Sequence, residues 1–132
     1  MTADQLVEAA LQARLKAFAP YSNYKVGAAL LAGSGKIYTG CNVENATYGL
    51  SVCAERVALL KAISEGERQF TRIAVSSESD PPATPCGSCR QLLWEFAGDI
   101  EVILVNPQGH RATHQLKSLF PEAFDHSFLN IP

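Results

Sequence analysis

Two short segments hold the residues whose types and spacing can do chemistry: Cys53-Ala54-Glu55 and Pro85-Cys86-Gly87-Ser88-Cys89. Thiolates are soft, strongly donating ligands that suit zinc, and three of them leave a tetrahedral ion one open position for water. A carboxylate beside that water, not itself a ligand, can accept its proton and return it elsewhere. Cys53, Cys86 and Cys89 are therefore the candidate zinc ligands, and Glu55 is the candidate general acid–base. The fourth cysteine, Cys41, lies in an apolar run and reads as a buried thiol rather than a ligand.

Each segment opens a helical pattern, and where it sits in the helix matters. Residues i and i+2 lie about 200° apart around a helix, too far for Cys53 and Glu55 to share a lateral face. In the first turn that restriction relaxes. Both side chains can reach over the helix end, where free N–H groups and the positive end of the dipole favour thiolates. Cys86 and Cys89, at i and i+3 in the next helix, lie on neighbouring azimuths and can converge on the same ion. Two helix N-termini are thus expected to face one metal. A divalent ion held by three thiolates carries a net negative formal charge, which weakens its pull on water. Arg56, the residue after Glu55, is placed to donate toward the sulfurs and offset that electron density.

The elements that must position these groups follow from periodicity and turn chemistry. Thr2-x-x-Gln5 has the form of a capping box, and Val7, Leu11, Arg14 and Phe18 recur at helical spacing until Pro20, predicting a first helix. Residues 25–31 and 36–42 are strand-like and joined by Ala32-Gly33-Ser34-Gly35, a hairpin pattern. Apolar residues wrap most of the circumference of a helix over residues 53–65, so it is expected to be central and buried, with Gly66 as its cap. A strand over 72–76, a proline-bearing loop over 77–85, a helix over 87–96 and a strand over 101–105 form a crossover. Such a crossover is expected to be right-handed and to pair its strands in parallel. A turn at Asn106-Pro107-Gln108-Gly109, a short strand over 111–113 and a last helix over 115–119 complete the pattern.

Length and composition narrow the function classes. A chain of 132 residues suits one domain, residues 1–132, with a core that needs no staples. No apolar run approaches the roughly 18 residues of a spanning helix, so no membrane partner is expected. The first twenty residues lack a basic stretch followed by a continuous apolar one, which points away from export and toward a reducing cytoplasm, where such cysteine spacing means metal or catalysis more often than disulfides. With 11 basic against 13 acidic residues, no basic stripe exists to reward a phosphate backbone, and a polynucleotide partner is not expected.

Blander readings of the same residues exist. A structural zinc site would need a fourth ligand, for which Cys41 is the candidate, and a redox dithiol at Cys86-x-x-Cys89 would leave Cys53-x-Glu55 idle. Glu55 could serve only the helix dipole, Arg56 could be a solvated helix residue, and Asn42 and Glu44 could be turn residues. Tyr24 and Phe124 are core aromatics by default. His110, His114 and His126 show no metal-ligand pattern.

The two cysteine segments match the general zinc-deaminase signature His-x-Glu…Pro-Cys-x-x-Cys, with Cys53 at the histidine position. Pro20-Tyr21-Ser22, Val26-Gly27-Ala28-Ala29-Leu30, Gly40-Cys41-Asn42-Val43-Glu44-Asn45 and Cys53-Ala54-Glu55-Arg56 resemble the small cytidine deaminases in order and spacing, over about Leu6 to Phe128. The resemblance implies an α/β fold: a three-layer α/β/α sandwich with a central five-stranded mixed sheet and one zinc ion per subunit. It implies hydrolytic deamination of cytidine and deoxycytidine in pyrimidine salvage, with Glu55 moving a proton from water to ring N3 and then to the departing amine. It further places Asn42 and Glu44 on the ribose hydroxyls, the Ala54 N–H on the base carbonyl, the Thr84 carbonyl near the amino group and Arg56 on the thiolates. Tyr24 stands where the family usually has a phenylalanine near the base, so its hydroxyl is a departure. Phe124 matches an aromatic that the family contributes across a subunit interface, implying a homotetramer with shared active sites. The alternatives are a deaminase of another aminated heterocycle, such as a cytosine-bearing antibiotic nucleoside, and a zinc-stabilised interaction module without catalysis.

Overall fold

The computed structural model describes residues 2–129. In chain order its elements are α1 (Ala3–Arg14), β1 (Val26–Ala32), β2 (Ile37–Cys41), α2 (Ala54–Ser64), β3 (Phe70–Ser77), α3 (Gly87–Ala97), β4 (Glu101–Val105), β5 (Arg111–Gln115) and α4 (Leu116–Leu119). The strands form a five-stranded sheet in the order β2-β1-β3-β4-β5. β1 and β2 make the expected antiparallel hairpin, β3 and β4 pair in parallel across α3, and β1–β3 and β4–β5 are antiparallel, so the sheet is mixed.

Strand periodicity divides the core into two layers. Ala28, Leu30, Ile73, Val75, Val102 and Leu104 face Ala58, Leu59 and Ala62 of α2 and Leu93 of α3. Ala29, Ala74, Ile103 and Val105 face Leu6, Val7 and Ala10 of α1. The result is the α/β/α sandwich, with the two helices that begin at the cysteine segments on the same face of the sheet.

Two expectations about helices need correction. The first helix ends at Arg14 rather than running to Pro20. Phe18 instead lies in an extended bridge beside Val43, its N–H donating to the Asn42 carbonyl and its carbonyl accepting from Glu44 N–H, at 2.9 and 2.8 Å. Pro20 also disfavours helical backbone at Ala19, so tertiary pairing and local sterics act together. The capping box at Thr2 and Gln5 forms as read. The helix α2 is buried only on the face carrying Ala54, Glu55, Ala58, Leu59 and Ala62, while Leu60 is 46% exposed. Its apolar circumference is wider than the sheet can cover.

Backbone-to-backbone contact sets where α2 begins. A Cβ on Gly40 of β2 would lie 2.5 Å from the Ala54 carbonyl oxygen and 2.6 Å from the Ala58 nitrogen, both backbone atoms of α2. Gly40→Ala is therefore expected to push the first turn of α2 off the sheet and to cost roughly 1–3 kcal/mol of stability, the range for overpacking. Urea unfolding measures this: a midpoint unchanged from wild type would show that α2 tolerates the displacement.

Candidate active site

Cys53 and Cys86 do not sit inside their helices; each is the N-cap residue. Their backbones are extended, with φ/ψ of −70°/152° and −66°/167°, and neither side chain caps its own helix. This resolves the angular problem of the Cys-x-Glu spacing, because helical azimuths do not apply to a residue outside the helix. Cys89 lies in the first turn of α3 and is buried. The sulfurs of Cys53, Cys86 and Cys89 all lie within 4.8 Å of one another, while Cys41, at the end of β2, stands outside the group. A tetrahedral ion with zinc–sulfur bonds of about 2.3 Å spaces its sulfurs by about 3.8 Å, so the three are arranged to close on one ion.

The three thiols also compete for protons at close range. The Cys53 thiol is pushed down to about 6, first by its hydrogen bond with Cys89, then by that with Cys86 and by the charge of Arg56, against the effect of burial. Cys89 is shifted up, first by the same contact with Cys53 and then by burial and the charge of Glu55. A metal relieves this competition by taking the place of the shared protons. The Arg56 Nε is buried with no hydrogen-bond partner among the described residues, so a donor is available where electron-rich sulfurs would need one. The donor set and this orphaned N–H together fit zinc.

Glu55, in the first turn of α2, is only 5% exposed. Burial pushes its carboxyl up to about 7, with a further rise from the charge of Cys53, opposed by its own backbone N–H and by the Cys89 thiol. A carboxyl poised there can hold or release a proton near neutral pH.

A cleft of about 290 Å³ opens on this group and is lined by Cys53, Ala54, Glu55 and Cys86. Tyr24, Asn42, Glu44 and Thr84 line the same cleft, so one chain brings together most of the residues singled out from sequence. Their existing bonds show how each is held. Asn42 donates from Nδ2 to the Tyr24 carbonyl at 2.7 Å and accepts from Val26 N–H at 2.9 Å, which leaves one donor and one acceptor site on its amide. Glu44 accepts from the backbone N–H groups of Tyr21 and Ser22, each at 3.0 Å, and from the Ser22 hydroxyl. The Ser22 hydroxyl is the main reason its carboxyl lies below the ordinary value. The Tyr24 hydroxyl is 2.5 Å from Ser79 Oγ and thus tethers the loop after β3.

Phe124 is not brought to the cleft. It is 54% exposed and stacks on Phe128, ring centroids 5.4 Å apart, on a segment tied to α3 by Gln91 Nε2 donating to the Phe124 carbonyl and Trp94 Nε1 donating to Asp125. Of the histidines set aside earlier, His110 and His126 form exposed pairs with Asp80 and Glu95 and are not part of the sulfur group.

Sequence reading quoted Ser22 only within the Pro20-Tyr21-Ser22 segment and gave no role to it or to Arg90. Ser22 supports Glu44 from a loop with no periodicity to mark it. Arg90 directly follows Cys89, but nothing in the order of residues reveals that its side chain turns back on the preceding loop, where it donates to the Thr84 hydroxyl and the Pro85 carbonyl.

A buried carboxyl and three convergent sulfurs at two helix ends, opening on a cleft and with no fourth protein ligand among the described residues, belong to the class of zinc-dependent hydrolytic enzymes. Residues 1–105 match the family described as the cytidine and deoxycytidylate deaminase zinc-binding region. The chain is 45% identical to a cytidine deaminase of Halalkalibacterium halodurans over 131 residues, covering 98% of this chain and 99% of that one. It is 44% identical to a cytidine deaminase of Sporosarcina psychrophila, over 94% and 92% of the two chains. The crystal structure of cytidine deaminase from Burkholderia pseudomallei superposes with a TM-score of 0.91 at 51% identity, covering 94% of this chain and all of the other. The chain belongs to the cytidine and deoxycytidylate deaminase zinc-binding family.

Proposed function

We propose that this chain is a hydrolytic cytidine deaminase acting on free cytidine and deoxycytidine. The observation that carries this reading is a buried carboxyl, Glu55, opening onto the same cleft as Cys53, Cys86 and the polar pair Asn42 and Glu44. Cys53, Cys86 and Cys89 would hold the zinc, which when bound would supply Lewis-acid activation of water. The buried Nε of Arg56, which has no partner among the described residues, would be available to the thiolates once they are metal-bound and would draw off part of their electron density.

Glu55 does the proton work. It takes a proton from water as the oxygen adds to C4 of the cytosine ring, delivers it to N3, and then carries the second proton to the amine. The C4–N bond breaks and ammonia leaves, so cytidine and water become uridine and ammonia. The Ala54 N–H donates to the base carbonyl, and the Thr84 carbonyl accepts from the amino group. Asn42 uses its remaining amide sites on the ribose, and Glu44 accepts from a ribose hydroxyl while Ser22 and the N–H of Tyr21 hold it in place. Tyr24 forms the wall beside the base, with its hydroxyl turned to Ser79.

The family spans nucleoside and nucleotide substrates by its own description, and Glu44 argues for the nucleoside. A carboxylate held ionised in the sugar subsite repels a phosphate, which would call for Lys, Arg or a helix N-terminus there. Initial rates on cytidine, deoxycytidine, cytidine monophosphate and single-stranded DNA at equal concentration test this. Turnover of the first two with little of the others is expected; a monophosphate processed as fast as cytidine would overturn the nucleoside assignment.

Assembly as a homotetramer completes the reading. Phe18, Tyr21, Tyr48, Leu50 and Phe124 are each more than half exposed, Leu60 nearly so, and Phe124 does not line its own cleft, all of which suits burial against further copies with Phe124 reaching a neighbour's site. Residues 1–132 act as one catalytic domain. A cytoplasmic role in pyrimidine salvage is in keeping with four free cysteines, and among the described residues no helix is long and apolar enough to cross a membrane.

A further inference from the structure

Arg90 occupies all three arms of its guanidinium on one stretch of backbone and its support. Nε donates to the Pro85 carbonyl at 2.7 Å, Nη2 to Thr84 Oγ1 at 2.8 Å, and Nη1 to the Leu119 carbonyl at the end of α4 at 2.6 Å. Pro85 is fully buried and brings no N–H of its own, so its carbonyl is the one backbone group by which it can be hydrogen-bonded, and Arg90 takes it. The planar fork of an arginine can hold three acceptors in fixed directions, which the single rotatable ammonium of a lysine cannot reproduce. Between the two loop groups that Arg90 holds lies the Thr84 carbonyl, for which no protein donor is found among the described residues.

We propose that Arg90 is a positioning residue for recognition of the 4-amino group: by clamping Thr84 and Pro85 against α4, it holds the Thr84 carbonyl as the acceptor that distinguishes an amino-bearing ring from one with oxygen at that position. The proposal rests on the deaminase reading above. Arg90 acts through the backbone and touches neither substrate nor metal. Its effect is therefore confined to ligands that offer a donor at C4. Cytidine has one, and uridine, the product, does not.

The test compares Arg90→Lys with wild type in zinc content, in kcat and KM for cytidine, and in the inhibition constant of uridine. The expected result is unchanged zinc, a fall in kcat/KM for cytidine of about 10-fold, on the scale of one misdirected hydrogen bond, and a uridine constant within about 2-fold of wild type. Thr84→Val, which removes one of the three acceptors while keeping the branched shape, is expected to show the same selective loss at smaller size and serves should Arg90→Lys not fold. Equal weakening of cytidine and uridine, or loss of zinc, would make Arg90 a merely structural support and overturn the proposal. A zinc-loaded wild-type protein that leaves cytidine unchanged would instead refute the deaminase reading itself.

Discussion

Cys86→Ala is expected to abolish zinc binding and with it all measurable cytidine turnover, while Cys41→Ala leaves both intact. The contrast follows from geometry. Cys86 is one of three sulfurs within 4.8 Å of one another, and two remaining thiolates cannot complete a tetrahedral catalytic site. Cys53→Ala and Cys89→Ala are expected to behave alike, although Cys89, being buried in the first turn of α3, should also lose stability through the cavity it leaves. Cys41 ends β2 outside the cluster, so its loss removes only local packing. Elemental analysis of purified variants decides the matter: stoichiometric zinc in Cys86→Ala, or its loss from Cys41→Ala, would mean that the ligand set is wrong.

Glu55→Gln separates metal binding from proton transfer. Glutamine keeps the size of the side chain and its place in the first turn of α2, but it cannot take a proton from water or return one to the ring. Zinc is expected to remain while turnover falls at least about 100-fold, the lower end for a lost general acid–base. The buried setting argues for the high side of that effect, since a carboxyl only 5% exposed has little bulk water nearby to take over the relay. Near-native turnover in a zinc-replete variant would remove Glu55 from the chemistry.

The chemistry was legible in the order of residues because it depends on rare types at close spacing. Cys53-x-Glu55 and Cys86-x-x-Cys89 lie at the starts of helices whose apolar periodicity is plain, and the strand-like runs over 25–31 and 36–42 form the expected hairpin. The sulfurs that meet come from segments more than thirty residues apart in the chain, yet their types alone argue that they meet. What periodicity could not reveal were features set by contact between distant backbones. The first helix stops at Arg14 because Phe18 pairs with the strand-like stretch at Asn42 and Glu44, a long-range bridge with no local signal beyond Pro20.

Residue types and spacing thus singled out the candidate ligand set, the candidate proton carrier and the main helices and strands, since each rests on side-chain chemistry or on a repeat of 2 or 3.6 residues. Tertiary structure decided how those groups are held. Gly40 admits the first turn of α2 to within backbone contact of β2, Cys53 and Cys86 become N-caps with extended backbones, and Arg90 turns back to clamp Thr84 and Pro85. The physical reason is that a hydrogen bond or a close backbone approach between segments remote in sequence leaves no periodic trace in either; only the packed chain brings donor and acceptor within reach.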